Sequence, residues 1–323
     1  AVNARGIIQN NDLDRYNFSV RNTTSMLNDK LTMDLSFMYS NVKEQNMLSQ
    51  GEYANPLVPV YLFPRGDDFS KYQYYERYDV DRNIKTQFWP LKENGLSMQN
   101  PYWITNRNMY TNKKDRFLAS GLLKYTITDW LNVSGRVKLD KETINSEKKM
   151  YASTLNVIAE NSDKGAYVQS NKNTSQIYAD AMLNINKYFY HDTWNLTASL
   201  GASLLDLDYK ELNFGGGLLT IPNLFTSNNA NVSGKLTYKN TNYHDRTNSL
   251  FGTFSLGYKG MVYVDGSLRN DWISALAGTN HSSILYPSIG ASAILTNMFT
   301  MKSNILSYAK VRLSYSEVGN APE

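Results

Sequence analysis

Two acidic pairs and one glycine triad have spacings that invite a chemical reading: Asp79-Val80-Asp81, Asp206-Leu207-Asp208 and Gly215-Gly216-Gly217. Carboxylates two apart can face a hard cation from a turn. A calcium loop, however, needs roughly six to eight oxygen ligands and usually a glycine at the bend, and neither pair supplies them, so both read as solvated loop. The triad lacks the Lys-Ser/Thr and the following helix of a phosphate loop and reads as a flexible hinge or turn. His191, His244 and His281 are isolated, and cysteine is absent. Thiolate metal sites and cysteine nucleophiles are thereby excluded. With no triad or zinc motif, the expectation is a protein that is not an enzyme, with no metal and no cofactor.

Binding is the better-supported chemistry. Between Phe69 and Trp103 the chain gathers Tyr72, Tyr74, Tyr75, Tyr78, Trp89, Tyr102 and Trp103 among Asp67, Asp68, Glu76, Arg77, Asp79, Asp81 and Arg82. Sugars offer apolar CH faces rimmed by hydroxyls, which flat rings and bidentate polar groups can hold. The seven aromatics are therefore candidate substrate contacts. The competing reading is a loop that packs on itself or docks a partner.

The elements that must position these residues are strands. In Leu31, Met33, Leu35, Phe37 and Tyr39 every odd position is apolar, with mostly polar residues between. Such alternation marks a strand with one apolar face, and about ten residues suffice to cross a bilayer when tilted. The pattern recurs at 16–20, 117–127, 131–139, 177–185, 194–204, 250–258, 262–268, 289–295 and 309–315, about ten strands in all, with no amphipathic helix. Leu31, Leu35, Phe37, Leu196 and Leu200 should face lipid, and Asp34, Ser36, Thr197 and Ser199 a lumen, because a one-residue slip would invert every side chain. Arg136, Lys138, Asp180, Asp265 and Arg269 then line the lumen, either along a substrate path or as solvated wall.

Composition agrees. The 323 residues include 24 Tyr but 8 Pro, and the formal charge of +4 is spread among acids, which argues against nucleic acid as a partner. Mean hydropathy is −0.47, and no run approaches the roughly 18 apolar residues of a membrane helix. A barrel escapes that test, because its strands alternate. Short turns near 21–30, 128–129, 187–193, 259–260 and 297–304 alternate with long loops at about 41–114, 141–174, 207–247 and 270–285. This is the layout of an outer-membrane barrel, with short turns periplasmic and long loops extracellular. Tyr125, Trp130, Tyr188, Tyr190, Trp194, Tyr258 and Tyr263 crowd the short-turn rim as an interfacial girdle would. The opening AVNARGIIQN is no signal peptide, and both ends fall at strands. The chain is therefore expected to be an internal slice, residues 1–323 forming one partial barrel domain without its plug.

The ordered motifs carry a resemblance. Gln99-Asn100-Pro101-Tyr102-Trp103, Asp115-Arg116-Phe117 and Tyr125-Thr126-Ile127-Thr128-Asp129-Trp130-Leu131 come first. Ser267-Leu268-Arg269-Asn270-Asp271, Leu285-Tyr286-Pro287-Ser288-Ile289-Gly290 and Leu306-Ser307-Tyr308 through Gly319-Asn320 follow. In order and spacing the set resembles the middle of the barrel of SusC/RagA-type TonB-linked outer-membrane proteins. The resemblance implies an all-β, antiparallel transmembrane barrel of the roughly 22-stranded, plugged class in the bacterial outer membrane. It also implies import of oligosaccharides or oligopeptides, a SusD-like lipoprotein partner, and TonB engaged through an N-terminal region. A siderophore receptor or porin is the alternative within the class. A soluble secreted glycan-binding β protein is the alternative outside it.

Overall fold

A computed structural model describes residues 1–47, 51–89, 98–231, 239–280, 282–299 and 306–319. The strands are β1 (Val2–Arg5), β2 (Asp12–Met26), β3 (Leu31–Gln45), β4 (Glu76–Asp79), β5 (Ile84–Gln87), β6 (Asn108–Thr128), β7 (Leu131–Tyr151), β8 (Gly165–Phe189), β9 (Trp194–Gly217), β10 (Lys239–Tyr258), β11 (Val262–Ile273), β12 (Ser283–Ile294) and β13 (Lys310–Ser316). All except β4 and β5 join one eleven-stranded antiparallel sheet whose order follows the sequence; β4 and β5 pair with each other. β1, which carries no apolar stripe, is the strand missing from the expected ten. Three short helices, α1 (Leu57–Tyr61), α2 (Pro101–Arg107) and α3 (Leu295–Met298), interrupt the connections.

The register shows why alternation specifies this sheet. Leu31, Tyr125, Val133, Leu183, Leu200, Gly252, Leu268 and Pro287 form one row across eight strands, each opposite the next. A nearby row on the other face runs Asp34, Leu122, Arg136, Asp180, Ser203, Ser249 and Asp271. The expected facing of Leu35 and Leu200 against Ser36 and Ser199 follows this parity: Leu35 and Leu200 are exposed on the apolar face. On the polar face Ser36 and Ser120 share a hydrogen bond of 2.8 Å, and Ser199 donates to the Asn184 side chain. Leu123, Val137, Leu250, Phe254, Leu268 and Ile289 extend the exposed apolar surface. Soluble surfaces rarely carry large contiguous apolar patches, and an exposed face of this kind marks a surface that meets an apolar medium or a partner.

The short connections are tight. Leu27, Asn28 and Asp29 carry positive φ between β2 and β3, as do Lys259 and Gly260 between β10 and β11. Positive φ at both central residues suits the right-handed twist of a hairpin. Along this rim Trp194 stacks on Phe189 and contacts Tyr258 at 4.7 Å between centroids, and Lys187 sits 4.3 Å over Trp130.

The long connections are shorter than expected from the apolar stripes. β3, β6, β7, β8, β9 and β10 run well past those stripes and narrow the gaps to 46–107, 152–164, 218–238 and 274–282. The extra strand is mostly polar, and its few apolar residues, Met150 and Leu212 among them, form no continuous stripe. Ladder hydrogen bonds hold it without any burial requirement, and so no period-two hydropathy marks it. The expected turn at 297–304 lies partly outside the described residues, as does His281.

Candidate functional site

The polar face is built from ion pairs. Arg136 Nε donates to the nearly inaccessible carboxylate of Asp180 at 2.8 Å. Arg269 reaches both Asp271, at 2.7 Å, and the Ser249 hydroxyl, at 2.9 Å. Ser249 and Asp271 lie in the same row as Arg136 and Asp180, so four of the five expected lining residues gather around it. Lys138, two residues beyond Arg136 on the same face of β7, has its ammonium 5.9 Å from the Tyr178 ring, which Arg136 also approaches. Asp265 stands apart, exposed and with no ion pair among the described residues. Pairs not singled out from sequence extend the face: Arg21 with Asp34, Arg116 with Asp140, and Lys172 and Lys239 on Glu211. Their shared parity with Arg136 was the available signal. Paired this way, the face keeps charge in a wet wall without leaving isolated ions.

The second candidate region is the gap between β3 and β6, which folds on itself. Asn100 is fully buried and does three things. Its Oδ1 caps α2 by accepting from the Tyr102 N–H at 2.9 Å, and its amide donates to the carbonyls of Tyr72 and Phe88. Pro101 follows at the first helical position, where its fixed φ suits the start of a helix. Gln99 donates to the Tyr53 carbonyl and accepts from the Leu155 N–H. Trp103 donates its indole N–H to Thr154 at 3.0 Å. Gln87 binds Ser153 through backbone and side chain. The motif Gln99 to Trp103 is therefore a clasp joining this loop to the next, 152–164.

This packing corrects the reading of the aromatics. Trp103 is 0% exposed, and Tyr72 and Trp89 are buried with Phe63, Phe69 and Phe88 in an aromatic cluster. Tyr72 and Trp103 have no ring face to offer a ligand, and Trp89, 5% exposed, edges a hollow with Arg82, Phe88 and Ser153. Tyr75 and Tyr102 are half-buried. Tyr74 and Tyr78 remain, 64% and 60% exposed, Tyr74 just before the β4–β5 hairpin and Tyr78 within β4. Arg107 clamps Glu76 with two hydrogen bonds and Lys85 adds a third, at 2.6 Å. Burial alone would raise the Glu76 pKa, but hydrogen bonds from Lys85 and Arg107 outweigh it and hold the carboxyl below its ordinary range.

The glycine triad is also corrected. Gly215 to Gly217 end β9, and they are crowded where a hinge would be loose. A Cβ on Gly215, whose φ is +142°, would lie 2.1 Å from the Tyr167 carbonyl, and one on Gly216 would lie 2.2 Å from that of Asn231. Of the acidic pairs only the first lies at a turn, where Asp79 accepts from the Arg82 N–H; Asp206 and Asp208 lie within β9 rather than in a loop, and Asp206 accepts from Arg246 and His244 of β10. Among the described residues no group of three potential metal ligands exists.

No family model and no curated protein matches this sequence. Solved structures do. A structure of the RagAB peptide transporter superposes with a TM-score of 0.67 at 17% identity over 95% of this chain. Its closed-closed state gives 0.65 over 96%. BauA, the ferric preacinetobactin receptor of Acinetobacter baumannii, gives 0.52 at 9% identity over 90%, and the ferric citrate transporter FecA 0.52 at 10% over 88%. The chain spans 33% of the RagAB chain, 39% of BauA and 34% of FecA, about a third of each. At these identities the likeness is one of fold: this sheet is a segment of the barrel found in those importers and receptors. None of these is an enzyme by its description.

Proposed function

We propose that this chain forms part of the barrel of a TonB-dependent importer in the bacterial outer membrane, carrying an oligosaccharide or oligopeptide and working with a SusD-like surface lipoprotein. The observation that carries the reading is the fold likeness to RagAB, joined to an apolar face set against an ion-paired polar face. In it, the apolar rows meet lipid, the polar face borders the lumen beside a plug, and the clasped loops stand extracellularly. Of the seven candidate rings, Tyr74 and Tyr78 are those exposed enough to stack on substrate, and Arg136, Lys138, Asp180, Asp265 and Arg269 border its route. TonB acts through a region outside this chain. A siderophore receptor is the second reading, supported by the likeness to BauA and FecA.

The test is deletion of the complete gene, followed by growth on single glycans, peptides or ferric siderophores. Loss of growth on a glycan or peptide, restored by complementation, supports the proposal. Loss confined to ferric siderophores establishes the second reading.

A further inference from the structure

Beyond its charged row, the polar face carries a pair of rings. Tyr209 on β9 lies directly opposite Tyr243 on β10. The rings stack with centroids 4.7 Å apart and planes 18° from parallel. Both residues share parity with Ser203 and Ser249 and therefore stand on the polar face. They lie six residues beyond that row toward the long-loop end, about 20 Å along the strands. Among the described residues the other stacked pairs sit elsewhere: Tyr72 with Phe88 in a loop, and Phe189 with Trp194 on the short-turn rim.

The pair is braced on one strand and open on the other. The Tyr209 hydroxyl donates to Glu211 at 2.9 Å. Glu211 is only 6% exposed and is also held by Lys172 at 3.5 Å and Lys239 at 3.7 Å. Tyr209 is thereby fixed, and Tyr243 stacks on it. Tyr243 itself is 42% exposed, and its hydroxyl has no hydrogen bond among the described residues. Thr241 and Asp245 flank it on the same face of β10, each about 7 Å along the strand. Asp245 is exposed, with no hydrogen bond or ion pair among the described residues. That sets it apart on this face, where Asp34, Glu44, Asp140, Glu142, Asp180 and Asp271 each already hold a cation or an amide. A cross-strand ring pair supports its own sheet, but that role needs no free carboxylate beside it.

We infer that Tyr209 and Tyr243 form a stacking platform for one pyranose ring of an oligosaccharide substrate, with Asp245 as its polar anchor. A pyranose presents a face of C–H groups and a rim of hydroxyls. The exposed Tyr243 ring takes the face. The Asp245 carboxylate, which only accepts, takes protons from neighbouring hydroxyls, and the Tyr243 and Thr241 hydroxyls complete the rim. Because Glu211 already fixes Tyr209, little side-chain freedom is lost on binding. A peptide strand binds through an open sheet edge and side-chain pockets, whereas this platform is flat and lies in the middle of the sheet. The inference rests on the importer reading above and narrows its substrate to a saccharide.

The test titrates the complete transporter in detergent, by calorimetry, with neutral hexasaccharides of glucose, xylose, mannose and galactose, with mixed hexapeptides, and with ferric siderophores. At least one hexasaccharide should bind. Tyr243→Ala should weaken that binding about fivefold, and Tyr243→Phe, which keeps the ring, should stay close to the parent. Asp245→Ala should weaken it several-fold as well. All three variants should keep heat-modifiable migration; a ring pair that only braces the sheet would lower the heat-modification midpoint and leave affinity untouched. Saccharide binding by Tyr243→Ala and Asp245→Ala equal to that of the parent overturns the inference. So does binding of hexapeptides alone, which leaves the importer reading standing. Binding of ferric siderophores alone is the result in which the importer reading itself fails.

Discussion

The indole N–H of Trp103 donates to the Thr154 hydroxyl at 3.0 Å, and that hydroxyl donates on to the Asn108 side chain at 2.8 Å. The chain ties α2 to the loop after β7. Truncating a large buried ring removes its packing and opens a cavity, so Trp103→Ala should cost about 3–5 kcal/mol of loop stability. Trp103→Phe keeps most of the volume and should cost about 1 kcal/mol for the lost hydrogen bond. Limited proteolysis within 46–107 should accelerate strongly for alanine and weakly for phenylalanine, with heat-modifiable migration of the barrel retained. Equal cleavage of all three proteins would mean that the clasp holds nothing.

Exposure separates the aromatics that can stack from those that hold the loop. Tyr74→Ala and Tyr78→Ala should lower uptake of the cognate oligomer several-fold, since a stacked ring contributes about 0.5–1.5 kcal/mol beyond its buried area. Neither should change thermal stability. Trp89→Ala should instead destabilise the loop, and any effect on uptake should track that loss. Transport assays run beside proteolysis separate the two outcomes. Normal uptake by the Tyr74 and Tyr78 variants would leave the hairpin as a docking or packing element.

The apolar portions of the strands were legible because lipid-facing residues must alternate with lumen-facing ones. Their polar extensions were not: from Lys141 to Tyr151 and from Gly165 to Gln176 both faces are wet or loop-covered, so pairing leaves no mark on hydropathy. The motif around Asn100 was visible as a pattern, but its role was not. Ring burial depends on Phe63, Phe69 and Thr154, which are distant in sequence. Gly215 and Gly216 looked like freedom because the loops crowding them, through Tyr167 and Asn231, are brought there only by the fold. The ion pairs of the polar face were half legible: parity placed Arg136 and Arg269 on it, but their partners required the register.

Glu76 makes the loop acid-sensitive. Its folded pKa lies below the ordinary 4.5 because Lys85 and Arg107 donate to the carboxylate more strongly than burial disfavours it. A depressed folded pKa adds stability that is present above the ordinary value and is lost as pH falls through the lowered one. The loop should therefore hold its protection from neutral pH down to about 4.5 and loosen below it. Glu76→Gln should be less stable at pH 7 and show a flatter acid limb. Proteolysis with an acid-active protease across pH 3–7 reads this directly, and an unchanged limb in the variant would assign the sensitivity elsewhere.

Gly216→Ala should fail to assemble or lose more stability than a typical substitution, since its Cβ would lie 2.2 Å from the Asn231 carbonyl. Backbone must move to relieve such a contact, whereas overpacking in a deformable core costs about 1–3 kcal/mol. Gly66→Ala, with nothing within 4 Å of the added atom, is the control and should behave as the parent. Heat-modifiable yield from outer-membrane fractions compares them. Equal yields would show that the loop following β9 can yield, and that the triad is looser than its contacts indicate.

Leu200 and Ser199 are neighbours on β9 whose side chains leave opposite faces of the sheet, and they test the membrane reading most directly. Leu200 is exposed within the apolar row between Leu183 and Gly252. Ser199 donates to Asn184 on the polar face. In the complete protein, an arginine at position 200 must place its charge in hydrocarbon, at about 2–4 kcal/mol near the midplane. At position 199 it would enter a wet wall already lined with ion pairs, and should cost little beyond the lost hydrogen bond, about 1 kcal/mol. Unfolding in urea from lipid vesicles, followed by tryptophan emission, should therefore rank Leu200→Arg well below Ser199→Arg. In a soluble β protein the order would reverse or vanish: an exposed leucine tolerates arginine, and the partner-bonded serine becomes the more sensitive site. A Leu200→Arg protein as stable as the parent would remove the apolar face from lipid, and with it the case for a membrane barrel.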